Sequence, residues 1–227
     1  VAEGSAPFVH LPADANVVVR VDFEALAKEP GWAPIVQKLE STNRNYTNAL
    51  IAGMAGDTPA LADVASALTG RVASYELGWR MESLEATTDS DYTLVGRGPI
   101  EGTVLTSTLV QRGWTPVPTA SGSALADSAS TLVIATPDAN TLVMAPSVER
   151  LAGATSAAQG SLESVITGAA SRPLFAYLRL SDAQQQALAQ ISRTPPPEAF
   201  AITGLPEAIK EAQYLRFGAV ALGDGPG

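Results

Sequence analysis

The chain has no cysteine, a single histidine and only three lysines, Lys28, Lys38 and Lys210, in 227 residues. The absence of cysteine removes disulfides, thiolate nucleophiles and thiolate metal sites together. A lone histidine cannot build a multi-histidine metal centre. No spacing supplies His10 with the serine or carboxylate partner that nucleophilic catalysis needs. Beside Pro12 it reads as an exposed residue of an N-terminal arm. The motifs G-x-S-x-G, S-x-x-K and H-E-x-x-H are all missing. With three lysines against eleven arginines there is no polybasic patch, and no apolar run approaches the roughly 20 residues of a membrane-spanning helix.

What the chain does carry is negative charge, −9 at neutral pH. Such a surface repels phosphate backbones and anionic membranes, which argues against nucleic-acid binding. Hydrophobic residues make up 46% and charged residues 16%, enough apolar material for a sizeable core. The opening "VAEGSAPF" begins at Val1 and resembles the start of a mature exported protein after signal removal.

Residues Asn16 to Phe23, "NVVVRVDF", form a β-branched run that predicts a strand, with Val17, Val19 and Val21 on one face and Val18, Arg20 and Asp22 on the other. Trp32, Ile35, Val36 and Leu39 recur at helical spacing, with Pro34 tolerated in the first turn. A second helix is expected over Tyr46 to Met54, and a short one over Leu61 to Leu68. "ASYELGWRM" and "DYTLVGRG" read as strands of an antiparallel pair. A helix with Ile100, Val104, Leu105 and Leu109 as its stripe follows and stops at Gly113. Four short strands come next, "TPVPTA", "SALADS", "STLVIATP" and "NTLVMAPS", the last two joined by a turn at Pro137–Asn140. Ser147 caps a helix through Leu151, and Ser161 starts another through Ile166.

The order strand, helical stretch and strand then recurs. "PLFAYLRLSDAQQQALAQ" restates "NVVVRVDFEALAKEP", and "AQYLRFGAVALGDG" parallels "VASYELGWRM". This self-similarity suggests two related halves. The expected fold is therefore α+β, a largely antiparallel sheet with packed helices. It divides into an arm (1–15), a first half (16–170) and an incomplete second half (171–227) packed on the first. In that second half the strand "YLRFGAVAL" meets "GDGPG" with no returning strand, so a continuation beyond Gly227 or a neighbouring strand is expected to complete it.

The stretch Gly96-Arg97-Gly98-Pro99-Ile100-Glu101-Gly102 invites a dinucleotide reading, because glycine-rich strand-to-helix turns cradle pyrophosphates. Its glycines are mis-spaced for that fingerprint, Pro99 removes an N–H donor and Glu101 would repel the phosphates. It is better read as a turn, with Pro99 opening the helix and Glu101 near its positive end. The carboxylates Asp22 with Glu24, and Asp89 with Asp91, lack the spaced ligands of a calcium loop and read as helix capping and a solvated loop. Asn45-Tyr46-Thr47 matches a glycosylation sequon, a triplet frequent by chance. Among the tryptophans, Trp32 and Trp79 fall in amphipathic patterns and are expected in the core. Trp114, flanked by Gly113, is expected at the surface. Together with Tyr214 and Phe217 it forms the candidate interaction set. No catalytic, cofactor or metal residues are assigned.

The segment "LPADANVVVRVDFEAL", with Leu11, Pro12, Ala13, Asp14 and Asp22, resembles the opening of a group of uncharacterised exported bacterial proteins. The mid-chain series "YTLVGRG", helix, Gly113 and hairpin through "NTLVMAPS" is similar to theirs as well. The resemblance implies a periplasmic or lipid-anchored protein, often built as two similar halves, and carries no catalytic residues. The leading expectation is a non-enzymatic exported accessory or structural subunit of an envelope or extracellular assembly, with a protein partner or oligomer. A periplasmic module binding a small ligand or carbohydrate is the alternative, and a hydrolase with an unfamiliar Ser/Asp site is a third reading. Titration with NAD, FAD and ATP by calorimetry is expected to give no saturable binding. Saturable binding lost in a Gly98→Val variant would overturn the turn reading.

Overall fold

A computed structural model describes residues 7–42, 47–48, 59–80, 91–119, 122–155 and 172–179, together with Ser181, Asp182 and Gln186. Along the chain the elements are β1 (Val17–Asp22), α1 (Phe23–Leu26), α2 (Ala33–Thr42), α3 (Pro59–Ala67), β2 (Ser74–Trp79), β3 (Tyr92–Arg97), α4 (Gly102–Gln111), β4 (Thr115–Thr119), β5 (Gly122–Ala126), β6 (Val133–Asp138), β7 (Thr141–Ala145), α5 (Val148–Thr155) and β8 (Leu174–Leu178). The strands make one eight-stranded sheet in the order β4-β5-β6-β7-β3-β2-β1-β8, and every pairing is antiparallel. The protein is α+β, as the alternation of β-branched and polar residues predicts.

Because side chains alternate across a strand, the sheet has two faces and each is covered differently. Tyr75, Leu94, Leu142, Met144 and Ile134 point to one face and are buried under Phe23, Leu26, Val36, Leu61, Val64, Leu105 and Leu109 of the helices α1–α4. Val18, Val95, Val143, Val133, Phe175 and Tyr177 point to the other, buried by Phe8 and Leu11 of the arm and Leu151 and Ala154 of α5. The arm is thus a layer of the fold. The β8 strand, which belongs to the expected second half, pairs directly with β1 in this same sheet.

Local chemistry explains the element ends. The Asp22 side chain accepts the Ala25 N–H at 2.9 Å and caps α1. Ser147 does the same for α5, accepting from the Arg150 N–H at 3.1 Å. Gly113, at φ +92°, terminates the turn after α4 in a conformation costly for other residues. The helix itself starts at Gly102 with Glu101 in the capping position, two residues beyond Pro99, so proline sets the approach rather than the first turn. Its expected stripe holds at Ile100, Leu105 and Leu109, but Val104 is exposed. Similarly Ile35 and Leu39 of α2 are exposed and Val36 is its buried residue, so the helix meets the core through Val36. The helices expected over Tyr46–Met54 and Ser161–Ile166 lie outside the described residues except for Thr47 and Asn48, which are helical; the sequon's Thr47 is buried.

The three tryptophans reverse their expected order. Trp114 is 3% exposed and sits in the core with Leu105, Leu109 and Leu125. After Gly113 the chain folds back so that the Trp114 N–H donates to the Leu109 carbonyl at 3.1 Å and its Nε1–H reaches Asp63 Oδ2 at 3.4 Å. Trp32 and Trp79 are only half-buried, Trp79 at the end of β2. Replacing Trp114 by Ala is expected to cost about 3–5 kcal/mol in urea denaturation, and the same change at Trp79 clearly less. Equal losses would contradict this burial order.

Candidate functional site

Three charged side chains sit mid-sheet on the face covered by the arm. Arg20 and Glu76 are direct cross-strand partners on β1 and β2, and Arg97 ends β3. Glu76 is fully buried, at 0% exposure. Arg97 donates to it from Nε at 3.1 Å and from Nη2 at 3.2 Å, a two-pronged contact, and Arg20 Nε lies 3.6 Å away as an ion pair. The fourth contact comes from the arm, whose Phe8 N–H donates to Glu76 Oε2 at 2.9 Å. Phe8 adopts φ +66°, a left-handed conformation that bulky residues rarely take, and it holds there with its ring 5.9 Å from that of Phe175. Arg20 also donates to Asp22 Oδ2 at 2.9 Å and to the Arg172 carbonyl at 2.6 Å. One buried carboxylate therefore ties together the arm and three strands, and reaches the start of β8 through Arg20.

The arm is fixed at two further points. His10, expected in an exposed tail, is buried, because the arm runs along the sheet. Its Nδ1–H donates to the Ala154 carbonyl of α5 at 3.3 Å. Desolvation pushes its pKa below the ordinary value, with the Arg97 charge acting the same way and the Ala154 bond opposing. Asp14 is held by Arg150 Nη1 at 2.9 Å and by Arg80 at 3.4 Å, and Asp91 pairs with Arg150 at 2.9 Å. The carboxylates Asp22 and Asp91 thus serve capping and ion pairing, while Asp89 lies outside the described residues. Every member of the buried cluster is engaged with the protein itself, as in a structural ion network.

The glycine turn has a similar internal role. A Cβ on Gly98 would lie 2.6 Å from the Arg71 carbonyl oxygen, so the turn packs against backbone where a cofactor would need room. The Gly98 and Ile100 N–H groups donate to the Asn140 and Ala139 carbonyls at 2.9 and 2.8 Å, which engages the amides a pyrophosphate would use.

Open surface lies on the other side of that turn. A groove of about 760 Å³ runs between α4 and the end of β6, lined by Ile100, Thr103, Thr106, Val110, Thr136 and Asp138. A smaller recess of about 110 Å³, floored by Leu125 and Ile134, shares Thr106 and Thr136 with it. Among the described residues the lining is aliphatic and hydroxylic, with no aromatic ring. Asp138 is the one titratable group among them and accepts the Asn140 N–H at 2.7 Å. Ser107, at the same groove, donates to its own helix at Val104 O, 3.0 Å away, so no base activates it. Among the described lining residues no nucleophile is paired with a base as acyl transfer requires.

Of the sequence-derived interaction residues, Trp114 is a core residue and is removed from the candidate surface; Tyr214 and Phe217 lie outside the described residues. Glu76 and the groove residues went unnoticed in the sequence. Among the described residues no cluster of His, Asp and Glu could hold a metal ion, and no helix is long and apolar enough to cross a membrane.

No family model and no curated protein matches the chain. Among solved structures it is similar to one titled "Structure of crystal form III of TP0453", with 10% identity and a TM-score of 0.44, over 82% of this chain and 68% of that one.

Glu76→Gln leaves Arg20 and Arg97 facing each other without their counter-charge and is expected to cost about 3–5 kcal/mol in chemical denaturation. A loss near zero would show that the cluster does not hold the arm. His10 gives a pH signature. Its folded-state pKa is lowered from 6.5, so below that pH the unfolded chain takes up a proton that the folded chain resists, and stability falls as pH falls. The difference between wild type and His10→Gln is expected to be flat above pH 6.5 and to shrink or reverse below it, read from denaturation midpoints.

Proposed function

We propose that the protein is a non-enzymatic binding subunit that works by protein–protein contact, using the groove between α4 and β6 to hold an extended, weakly charged segment of a partner. The observation that carries this reading is the groove's make-up. Exposed Val110 and the edge of buried Ile100 line it together with Thr103, Thr106 and Thr136, beside the carboxylate of Asp138. Val110 is 44% exposed, an apolar side chain open to solvent at this groove. The charged groups that could have served catalysis are instead buried in the arm-locked cluster.

Within this reading the protein is an exported accessory or structural subunit of a cell-envelope or extracellular assembly. That placement rests on the "LPADANVVVRVDFEAL" resemblance. Carbohydrate binding is the second reading, favoured by the hydroxyl-rich lining and disfavoured by the missing aromatic platform on which sugar rings stack.

The test is native co-purification with wild type and Thr106→Trp. The indole fills the groove from an exposed helix position, so stability is expected to change by about 0.5 kcal/mol or less. Partner affinity is expected to fall about tenfold or more, equivalent to ~1.4 kcal/mol. Undiminished partner retention in this variant would remove the groove from the interaction. Saturable thermal stabilisation by neutral oligosaccharides, lost in the same variant, would favour the second reading.

A further inference from the structure

The arm is attached to the sheet by side-chain contacts, whereas the strands are joined to one another by backbone ladders. Among the described residues the backbone–backbone bonds of 8–15 are local. The Leu11 N–H donates to the Phe8 carbonyl and the Ala15 N–H to the Pro12 carbonyl, each at 3.1 Å. The ladder begins one residue later, where the Asn16 N–H donates to the Trp79 carbonyl at 3.0 Å. The arm can therefore lift from the sheet without breaking a strand pairing. Segments of this kind open at a free energy below that of global unfolding.

Three polar contacts hold it in place. The Phe8 N–H donates to Glu76 Oε2 at 2.9 Å, the His10 Nδ1–H to the Ala154 carbonyl at 3.3 Å, and Asp14 accepts from Arg150 Nη1 at 2.9 and 3.1 Å. Phe8 and Leu11 add apolar cover over Val18, Phe175 and Tyr177. If Phe8 leaves, Glu76 still keeps Arg97 and Arg20, so its charge is not stranded. Phe8 at φ +66° holds a conformation that bulky residues adopt only at a cost, and undocking relieves it.

His10 is the buried titratable group of the arm, whereas Asp14 is exposed. Its bond to Ala154 needs only one ring proton, so the neutral ring satisfies it. A second proton would place a charge in a site shielded from water. Desolvation, the largest effect, and the Arg97 charge oppose that proton; the Ala154 carbonyl, Asp138 and Glu76 favour it, and the opposing side prevails. The other charged and titratable groups of the neighbouring elements are held elsewhere. Arg150 of α5 is committed to Asp14 and Asp91, Arg20 pairs with Asp22 and Glu76, Glu149 and Arg179 are exposed, and Tyr177 is buried in the same layer. Lifting the arm puts the ring in water, where it takes up the proton freely. Below pH 6.5 acid therefore favours the lifted state.

We propose that the arm is an acid-released strap: protonation of His10 lifts residues 8–15 from the sheet and uncovers Val18, Phe175 and Tyr177 while the strands stay paired. The inference stands apart from the groove reading, since the arm covers the face of the sheet opposite α4.

The single histidine makes the test direct, because its ring signals in NMR need no variant to assign them. In the full chain, hydrogen exchange of the Phe8 and Leu11 amides is followed beside that of Val143 in the sheet, corrected for the intrinsic pH dependence of exchange. The arm amides are expected to be less protected than Val143 at every pH. Below pH 6.5 they are expected to lose up to about tenfold in protection per pH unit. The His10 ring is expected to titrate below 6.5, and in His10→Gln the pH step disappears. Equal protection of the arm and Val143 would mean that the arm leaves only when the whole protein unfolds, and overturns the proposal. So does a pH step retained in His10→Gln, or a ring that titrates at 6.5 while arm protection stays unchanged. Should His10→Gln fail to fold, the wild-type exchange and the ring titration decide alone.

Discussion

The fold depends on how one buried carboxylate is neutralised. Glu76 lies in the middle of the sheet shielded from solvent, and an unpaired charge there would cost several kcal/mol, a large part of the net stability of a domain. Arg97 and Arg20 supply the counter-charge from the flanking strands, and the Phe8 amide supplies the remaining donor. The arrangement fixes the register of β1, β2 and β3, because a slip by one residue would turn each of these charges to the other face of its strand. It also explains why the arm is ordered. Without Phe8 overhead, Glu76 would lose a hydrogen bond, and Val18, Phe175 and Tyr177 would lose part of their cover.

The same cluster keeps its charged side chains engaged with one another and with the backbone around them. Its arginines and glutamate look like reactive equipment in isolation, yet each is committed to a neighbour of the fold. The groove beside α4 is lined by Thr103, Thr106 and Thr136, with Val110 exposed, Ile100 buried and Asp138 as the carboxylate among its described lining residues. Charge is thus sparse along this groove, in a chain whose net charge is strongly negative.

The strands were legible in the sequence because each has a β-branched or alternating run of its own, from "VVVRVD" to "TLVMA", and the helix caps at Asp22 and Ser147 follow from local hydrogen bonding. Burial was less legible, since it depends on partners far along the chain. Trp114 borders a glycine and looks exposed, but Asp63, fifty-one residues away, receives its N–H. His10 lies in a proline-containing arm and looks like a tail residue, but its partner is Ala154. Within "SYELGW" nothing sets Glu76 apart from any polar residue of a strand. A signal for it existed: Arg20, Glu76 and Arg97 occupy the phase that faces Val18, Gly78 and Val95, and once the strands are paired the opposite charges coincide. The groove had no sequence signature, because threonines on a helix and a strand acquire meaning only when the two elements meet.

The prolines of β4 bear on how this sheet can meet another strand. A sheet edge with regularly spaced donors and acceptors is a template for further strands, and repeated addition is the geometry of a fibre. Pro116 and Pro118 have no N–H to offer, so a strand laid against β4 would find carbonyls there without the matching donors. Addition at this edge is therefore disfavoured by the backbone itself, whatever the side chains of the incoming strand.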